Sequence, residues 1–195
     1  MTPELDPAEL AKKLLQGEPA VIPTDTVPGL AAKPEHAQQL WHLKRRPADK
    51  PLILMAASAQ LLLDAVDERC REDARQLIDR YWPGALTLVL PAKGVLVEQL
   101  NPGGNSLGIR IPACAPTLEL LRHSGPLATS SANPAGQSPA ASAAEAAALF
   151  PDVAQLTQPW PPRSGLASSV LQWRSLDTWQ VLRQGAVMLS DIPKS

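Results

Sequence analysis

The residues able to carry chemistry gather in short polar stretches, each at the end of an apolar run. Thr24, Asp25 and Thr26 follow Ala20-Val21-Ile22 in the stretch IPTDTVPGLAA (residues 22–32), held between Pro23 and Pro28. Lys44, Arg45, Arg46 and Lys50 fall within LKRRPADKPL, and Thr129, Ser130, Ser131 and Asn133 within TSSANPAGQS. Ser168 and Ser169 in GLASSVLQ are followed by Arg183 in VLRQG, and Arg110 stands alone among apolar neighbours in SLGIRIP. Hydroxyls and an amide offer donors and acceptors to a small polar ligand, and lysine and arginine offset several negative charges. Together they point to an anionic ligand of the nucleotide kind. Taken singly, each stretch also fits a local role as a helix cap, a side-chain turn or a solvated helix end.

The elements that must position these residues alternate between strand and helix. Asp6 before Pro7, with Glu9 behind it, starts a helix whose apolar face is Leu10, Leu14 and Leu15 and which Gly17 stops. A strand is expected over 19–24 and a helix over 34–46, ended by Pro47. The continuous apolar run 51–57 reads as a strand covered on both faces, followed by helices over 59–66 and 71–81. Strands are expected over 85–91 and 106–112, the second placing Arg110 opposite in phase to Ile109 and Ile111. A helix over 115–123 and a strand over 126–132 come next. Ser142 and Glu145 make a capping box for a helix over 142–149. Short strands near 153–157, 167–173 and 178–183 close the chain. The alternation argues for one α/β domain, in which polar loops gather at strand ends.

Composition excludes several classes. Formal net charge is −1 over 195 residues, so no global basic field drives nucleic-acid binding and any polyanion site is local. No apolar run approaches the ~20 residues that span a bilayer, and the first residues lack a signal-peptide pattern, so a cytoplasmic, membrane-free protein is expected. Cys70 and Cys114 show no metal-site spacing and read as reduced thiols. His36, His42 and His123 fall on expected helices without nucleophile or acid partners. There is no GxxxxGK[ST], no GxGxxG, no His-centred hydrolase pattern and no carboxylate pair. From the residues alone, the chain is an α/β protein with a polar, cationic cleft.

The stretches IPTDTVPGLAA, LKRRPADKPLILM, YWPGALTLVLPA, LGIRIP, GPLATSSANPAGQSPA, ASSVLQW and VLRQGAV stand in the order found in the YrdC-like family. The chain resembles that family, in its short single-domain form, from about residue 7 to 189. The resemblance implies a single domain over 1–195, a twisted open mixed sheet flanked by helices around a deep cationic cavity. It implies synthesis of L-threonylcarbamoyladenylate from L-threonine, bicarbonate and ATP, with magnesium accompanying ATP, pyrophosphate released and bicarbonate as co-substrate. Downstream transferase proteins would pass the threonylcarbamoyl group to tRNA, and tRNA or RNA could touch the cavity.

By motif, the resemblance assigns Thr26, Arg110, Ser131 and Ser168 to threonine. Lys44, Arg46 and Lys50 would meet the phosphates and neutralise their charge. Ser106, Asn133 and Arg183 would line the nucleotide side together with Arg46 and Lys50. No general base and no protein metal ligand are assigned; positioning and charge neutralisation would do the work. Pro28 stands where the family usually has an aromatic residue, Met55 where some members have histidine, and Ala141 where a hydroxyl is common. The other reading is a YrdC-like nucleotide- or RNA-binding protein without synthase activity, although near-neutral charge and few aromatics disfavour broad RNA binding.

Overall fold

The computed structural model describes residues 2–48 and 50–189. Among them run ten strands: β1 (Glu4–Leu5), β2 (Ala20–Ile22), β3 (Gly29–Ala32), β4 (Ile53–Met55), β5 (Leu86–Pro91), β6 (Ser106–Arg110), β7 (Leu127–Ser131), β8 (Ala154–Leu156), β9 (Ser169–Ser175) and β10 (Thr178–Arg183). The helices are α1 (Pro7–Leu15), α2 (Gln38–Lys44), α3 (Ala59–Asp64), α4 (Arg71–Tyr81), α5 (Val95–Leu100), α6 (Ala115–Ser124) and α7 (Ala143–Leu149). All ten strands join one open sheet in the order β1-β8-β2-β3-β7-β4-β6-β5-β9-β10. Parallel pairs such as β4–β6 and β5–β9 stand beside antiparallel ones such as β3–β7 and β5–β6, so the sheet is mixed, as expected. Among the described residues no helix is long and apolar enough to cross a membrane.

Period-two alternation splits the core into two layers. Val21, Leu30, Leu54 and Leu88 point to one face and pack with Trp41 of α2, Leu62 of α3, Leu77 of α4 and Leu100 of α5. Ala20, Ile22, Ala31 and Met55 point to the other and pack with Leu10 and Leu14 of α1 and Leu120 and Leu121 of α6. Each of these buried leucines contributes about 2 kcal/mol. The layer formed by α1 and α6 covers only part of its face. Further along the sheet, Leu86, Leu88 and Leu90 of β5 join the first layer, so Thr87 and Val89 point to the second face, where an open cavity replaces a helix.

Local chemistry sets most element ends where the sequence places them. The Asp6 carboxylate accepts from the Glu9 amide at 2.8 Å, and Gly17 leaves α1 at φ +89°. The Ser142 hydroxyl accepts from the Glu145 amide at 3.0 Å. The differences have physical causes. Leu15 is 58% exposed, because one residue advances about 100° round the helix and carries it off the face of Leu10 and Leu14. The strand expected over 19–24 stops at Ile22, where Pro23 has no amide to donate and Thr24 begins a turn. The helix expected over 34–46 divides into a 3₁₀ turn at Pro34–His36 and α2, which Arg45 ends in the left-handed region at φ 49°. The strand expected over 51–57 shortens to β4.

The sequence pattern does not announce β1, β3 or α5. The residues of β3, Gly-Leu-Ala-Ala, have weak strand propensity, yet β3 is fully buried and paired on both sides, with β2 and β7. The exposed end of the β9–β10 hairpin is latched to α4. Buried Asp73 accepts from Trp173 Nε1 at 2.7 Å and from the Asp177 amide at 2.9 Å.

Candidate active site

The Thr24–Pro28 turn is closed by its own side chains. The Thr24 hydroxyl donates to the Val27 carbonyl at 2.7 Å and accepts from the Thr26 amide at 3.1 Å. Since its proton is committed to Val27, the 2.9 Å contact between the two hydroxyls has Thr26 as donor. The carbonyls are committed too: Pro23 O accepts from the Thr117 hydroxyl of α6 at 2.6 Å, Asp25 O from the Ser164 amide and Thr26 O from the Gly165 amide. The turn is therefore fixed from both sides.

Arg110 lies under this turn, 3% exposed on a buried strand. Its Nε donates to the Gly84 carbonyl at 2.9 Å, Nη1 to the Thr26 hydroxyl at 3.0 Å and Nη2 to the Asp25 carboxylate at 2.6 Å. A guanidinium has five N–H donors, so among the described residues two are left without a partner. Burial pushes the Arg110 pKa down, and the Asp25 charge opposes that shift. The Thr26 hydroxyl has spent its proton on Thr24 and accepts from Arg110, so toward a ligand it acts as an acceptor. Gly84 is a steric requirement here: a Cβ on it would collide with the Tyr81 carbonyl.

Lys44 and Asn133 come together, but behind the cavity wall. Lys44 is 1% exposed, and its ammonium donates to the Ser131 carbonyl, to Asn133 O at 2.7 Å and to Asn133 Oδ1 at 3.2 Å. Burial and the nearby Arg46 charge lower its pKa to about 8. The Asn133 amide group donates to the carbonyls of Pro134 and Gln137 at 2.9 and 2.8 Å. Lys44 thus joins the end of α2 to the loop that leaves β7. Lys50 is exposed, and its carbonyl accepts from Trp41 Nε1 and Arg46 Nη2.

At the start of β9, Arg183 reaches back from β10 and donates from Nε to the Ser168 carbonyl at 2.9 Å and from Nη2 to the Ser168 hydroxyl at 3.1 Å. The same hydroxyl lies 2.9 Å from that of Thr87. Burial lowers the Arg183 pKa.

These groups border two cavities. The first, about 260 Å³, is lined by Thr26, Arg46, Arg110, Ser131, Ser168 and Arg183, with Ile22, Pro28 and Met55 as apolar wall. The second, about 350 Å³, is lined by Thr87, Val89, Asn101, Ser106, Gln172 and Arg183. Pro51, Ile53 and Arg183 border both, which makes them neighbouring compartments. Among the described residues neither is lined by an aspartate or glutamate. Of the residues that the resemblance assigns to ligands, Lys44, Lys50 and Asn133 line neither compartment. Thr87, Asn101 and Gln172 escaped sequence reading. The alternation of LTLVL carried a signal for Thr87, whereas Asn101 and Gln172 lie in stretches with no polar cluster.

A family model covering the Sua5, YciO and YrdC proteins, described as telomere recombination, matches residues 12–185. The threonylcarbamoyl-AMP synthase of Bacillus subtilis is 35% identical over 192 residues, covering 95% of this chain and 55% of that protein. The threonylcarbamoyl-AMP synthase of Idiomarina loihiensis is 37% identical over 152 residues, covering 75% of this chain and 82% of that protein. The crystal structure of Pyrococcus abyssi Sua5 complexed with L-threonine superposes with a TM-score of 0.87 at 31% identity, over 95% of this chain and 56% of that one. The chain therefore spans little more than half the length of the B. subtilis and P. abyssi relatives it matches.

Proposed function

The chain belongs to the Sua5–YciO–YrdC family, and from that premise we propose that it is a threonylcarbamoyl-AMP synthase, using L-threonine, bicarbonate and ATP. The observation that carries the reading is Arg110: a buried guanidinium with two uncommitted N–H donors beside an acceptor hydroxyl, at the edge of a compartment that also holds Arg46 and Arg183. This arrangement suits an amino acid, its carboxylate on Arg110 and a donor group on Thr26. A relative 31% identical was crystallised with L-threonine, which supports the same ligand here.

The triphosphate lies along Arg46 and Arg183, with Ser131 as a hydroxyl partner, and the nucleoside enters the second compartment near Ser106. Lys44 and Asn133 act through the backbone they hold in place. Lys50 is exposed and lines neither compartment, so it would meet a phosphate only where the triphosphate extends beyond them. Among the described residues no cluster of histidine, cysteine, aspartate or glutamate suits a metal ion; magnesium would come with ATP and offset phosphate charge.

The amine of threonine and bicarbonate give the carbamate and water. The carbamate oxygen attacks the α-phosphorus, the bond to the β-phosphate oxygen breaks, and pyrophosphate leaves. The protein contributes alignment and positive charge where negative charge concentrates. The product serves transferase proteins that modify tRNA. The test is pyrophosphate release from ATP, expected only when L-threonine and bicarbonate are both present, with L-serine as control. Release independent of threonine would overturn the reading. Salt-dependent RNA binding with no release would favour a nucleotide- or RNA-binding protein instead.

A further inference from the structure

We propose that Thr87 is a positioning residue that turns the Ser168 hydroxyl into an obligate hydrogen-bond donor toward an anionic oxygen on the amino-acid side of the site; the substrate named here rests on the reading above. Thr87 is 1% exposed in the middle of β5. Its methyl faces the neighbouring strand, where a Cβ built on Gly108 would lie 3.7 Å from Thr87 Cγ2. Its hydroxyl faces Ser168, at 2.9 Å.

The rest is an inventory of protons. A hydroxyl has one proton to give and two lone pairs. Among the described residues, Ser168 Oγ is the one hydrogen-bond partner of Thr87 Oγ1. Either hydroxyl could donate across this contact; the proposal assigns the proton to Thr87, which leaves that of Ser168 for a ligand in the first compartment, which Ser168 lines and Thr87 does not. Ser168 Oγ also accepts from Arg183 Nη2, and a guanidinium can only donate. With both lone pairs occupied, the proton of Ser168 is left for the compartment that Ser168 lines. A donor fixed in this way suits a carboxylate or carbamate oxygen and rejects a ligand donor at the same point. Thr87 lines the second compartment and not the first, so it acts on the amino-acid side through Ser168 rather than by touching the amino acid.

Thr87→Val keeps the shape and removes the proton; Thr87→Ser keeps the proton and removes the methyl. Losing one pre-aimed hydrogen bond to a charged oxygen corresponds to about a tenfold effect. We expect T87V to raise the KM for L-threonine about tenfold and the KM for ATP by much less, T87S to restore the parent KM for L-threonine, and T87V to add nothing to that KM in a Ser168→Ala background. A residue serving only stability would lower the melting temperature and move both KM values together. The proposal falls if T87V matches the parent, or if T87S is impaired as much as T87V.

Calorimetric titration with L-threonine alone separates the two readings. Threonine binding by the parent that weakens in T87V supports the role of Thr87 even where no pyrophosphate is released, in which case only the synthase reading fails. Pyrophosphate release that T87V leaves untouched sinks the proposal alone, and a parent that binds no threonine sinks both. Should T87V fold poorly, the parent still answers by NMR. The Thr87 hydroxyl proton should exchange slowly with water and show a close contact to the Ser168 side chain; exchange at the rate of an exposed hydroxyl overturns the assignment.

Discussion

Arg110 Nη2 donates to Asp25 Oδ1 across 2.6 Å, a buried pairing between a strand residue and a turn residue 85 positions earlier. The pair, with the bonds to Gly84 and Thr26, holds in place the guanidinium of a residue that lines the first compartment. It also means that Arg110 cannot be removed without consequence for Asp25.

Arg110→Ala should therefore lower stability as well as activity, by about 3 kcal/mol, because it leaves a largely buried carboxylate without its partner. Arg110→Lys is the cleaner test. A single ammonium cannot reach Gly84 O, Thr26 and Asp25 and still offer a fork to a ligand carboxylate. The expected result is a folded protein whose KM for L-threonine rises about 100-fold, or roughly 2.7 kcal/mol. A lysine variant with the parent KM would remove Arg110 from the binding site.

Lys44 makes a pH prediction. Its pKa in the folded protein, about 8, lies below the ordinary 10.5 because burial and Arg46 disfavour the charge. Below about pH 8 both folded and unfolded chains carry the proton, and burying the charge costs stability. Between about 8 and 10.5 the unfolded chain holds a proton that the folded one has shed, so this group makes stability rise with pH. The same titration removes positive charge beside the first compartment, so affinity for ATP should fall as pH climbs through about 8. Heteronuclear NMR of the lysine side chains should find the Lys44 midpoint there; a midpoint at 10.5 would contradict it.

Gly185→Ala should damage the site more than the fold. A Cβ at Gly185 would collide with the Ala167 carbonyl and the Ser168 backbone, none of which is a flexible side chain. Relief requires shifting Ser168, which Arg183 and Thr87 otherwise hold. Overpacking of this kind costs about 2 kcal/mol. Turnover should drop by more than the melting temperature suggests, and normal pyrophosphate release from the variant would show that the position of Ser168 is not critical.

Asp73→Ala offers the opposite control. It cuts the latch between α4 and the β9–β10 hairpin, stranding Trp173 Nε1 and the Asp177 amide. The two hydrogen bonds to a charged acceptor are worth about 3 kcal/mol together. Urea denaturation should register that loss, while the KM for L-threonine measured well below the transition stays at the parent value. A large KM change would mean that the hairpin end communicates with the compartments.

What the sequence determined by itself is whatever depends on neighbours along the chain. Asp6 and Ser142 cap their helices because a cap reaches only three residues. Strand alternation turned Arg110 away from Ile109 and Ile111, and the ordered motifs carry the family resemblance. Only the tertiary structure decided which of the polar residues line the two compartments. Lys44 and Asn133 look as available in sequence as Arg46 and Ser131, yet their donors and acceptors are consumed on each other and on nearby carbonyls. β3 is a strand because two partners pair with it, although its small residues do not favour one. Thr87 becomes relevant only because β9 and β10 bring Ser168 and Arg183 against it from the far end of the chain. Local propensity acts over a few residues, whereas the direction in which a hydroxyl gives its proton is set by every group around it, and those groups are assembled by the fold.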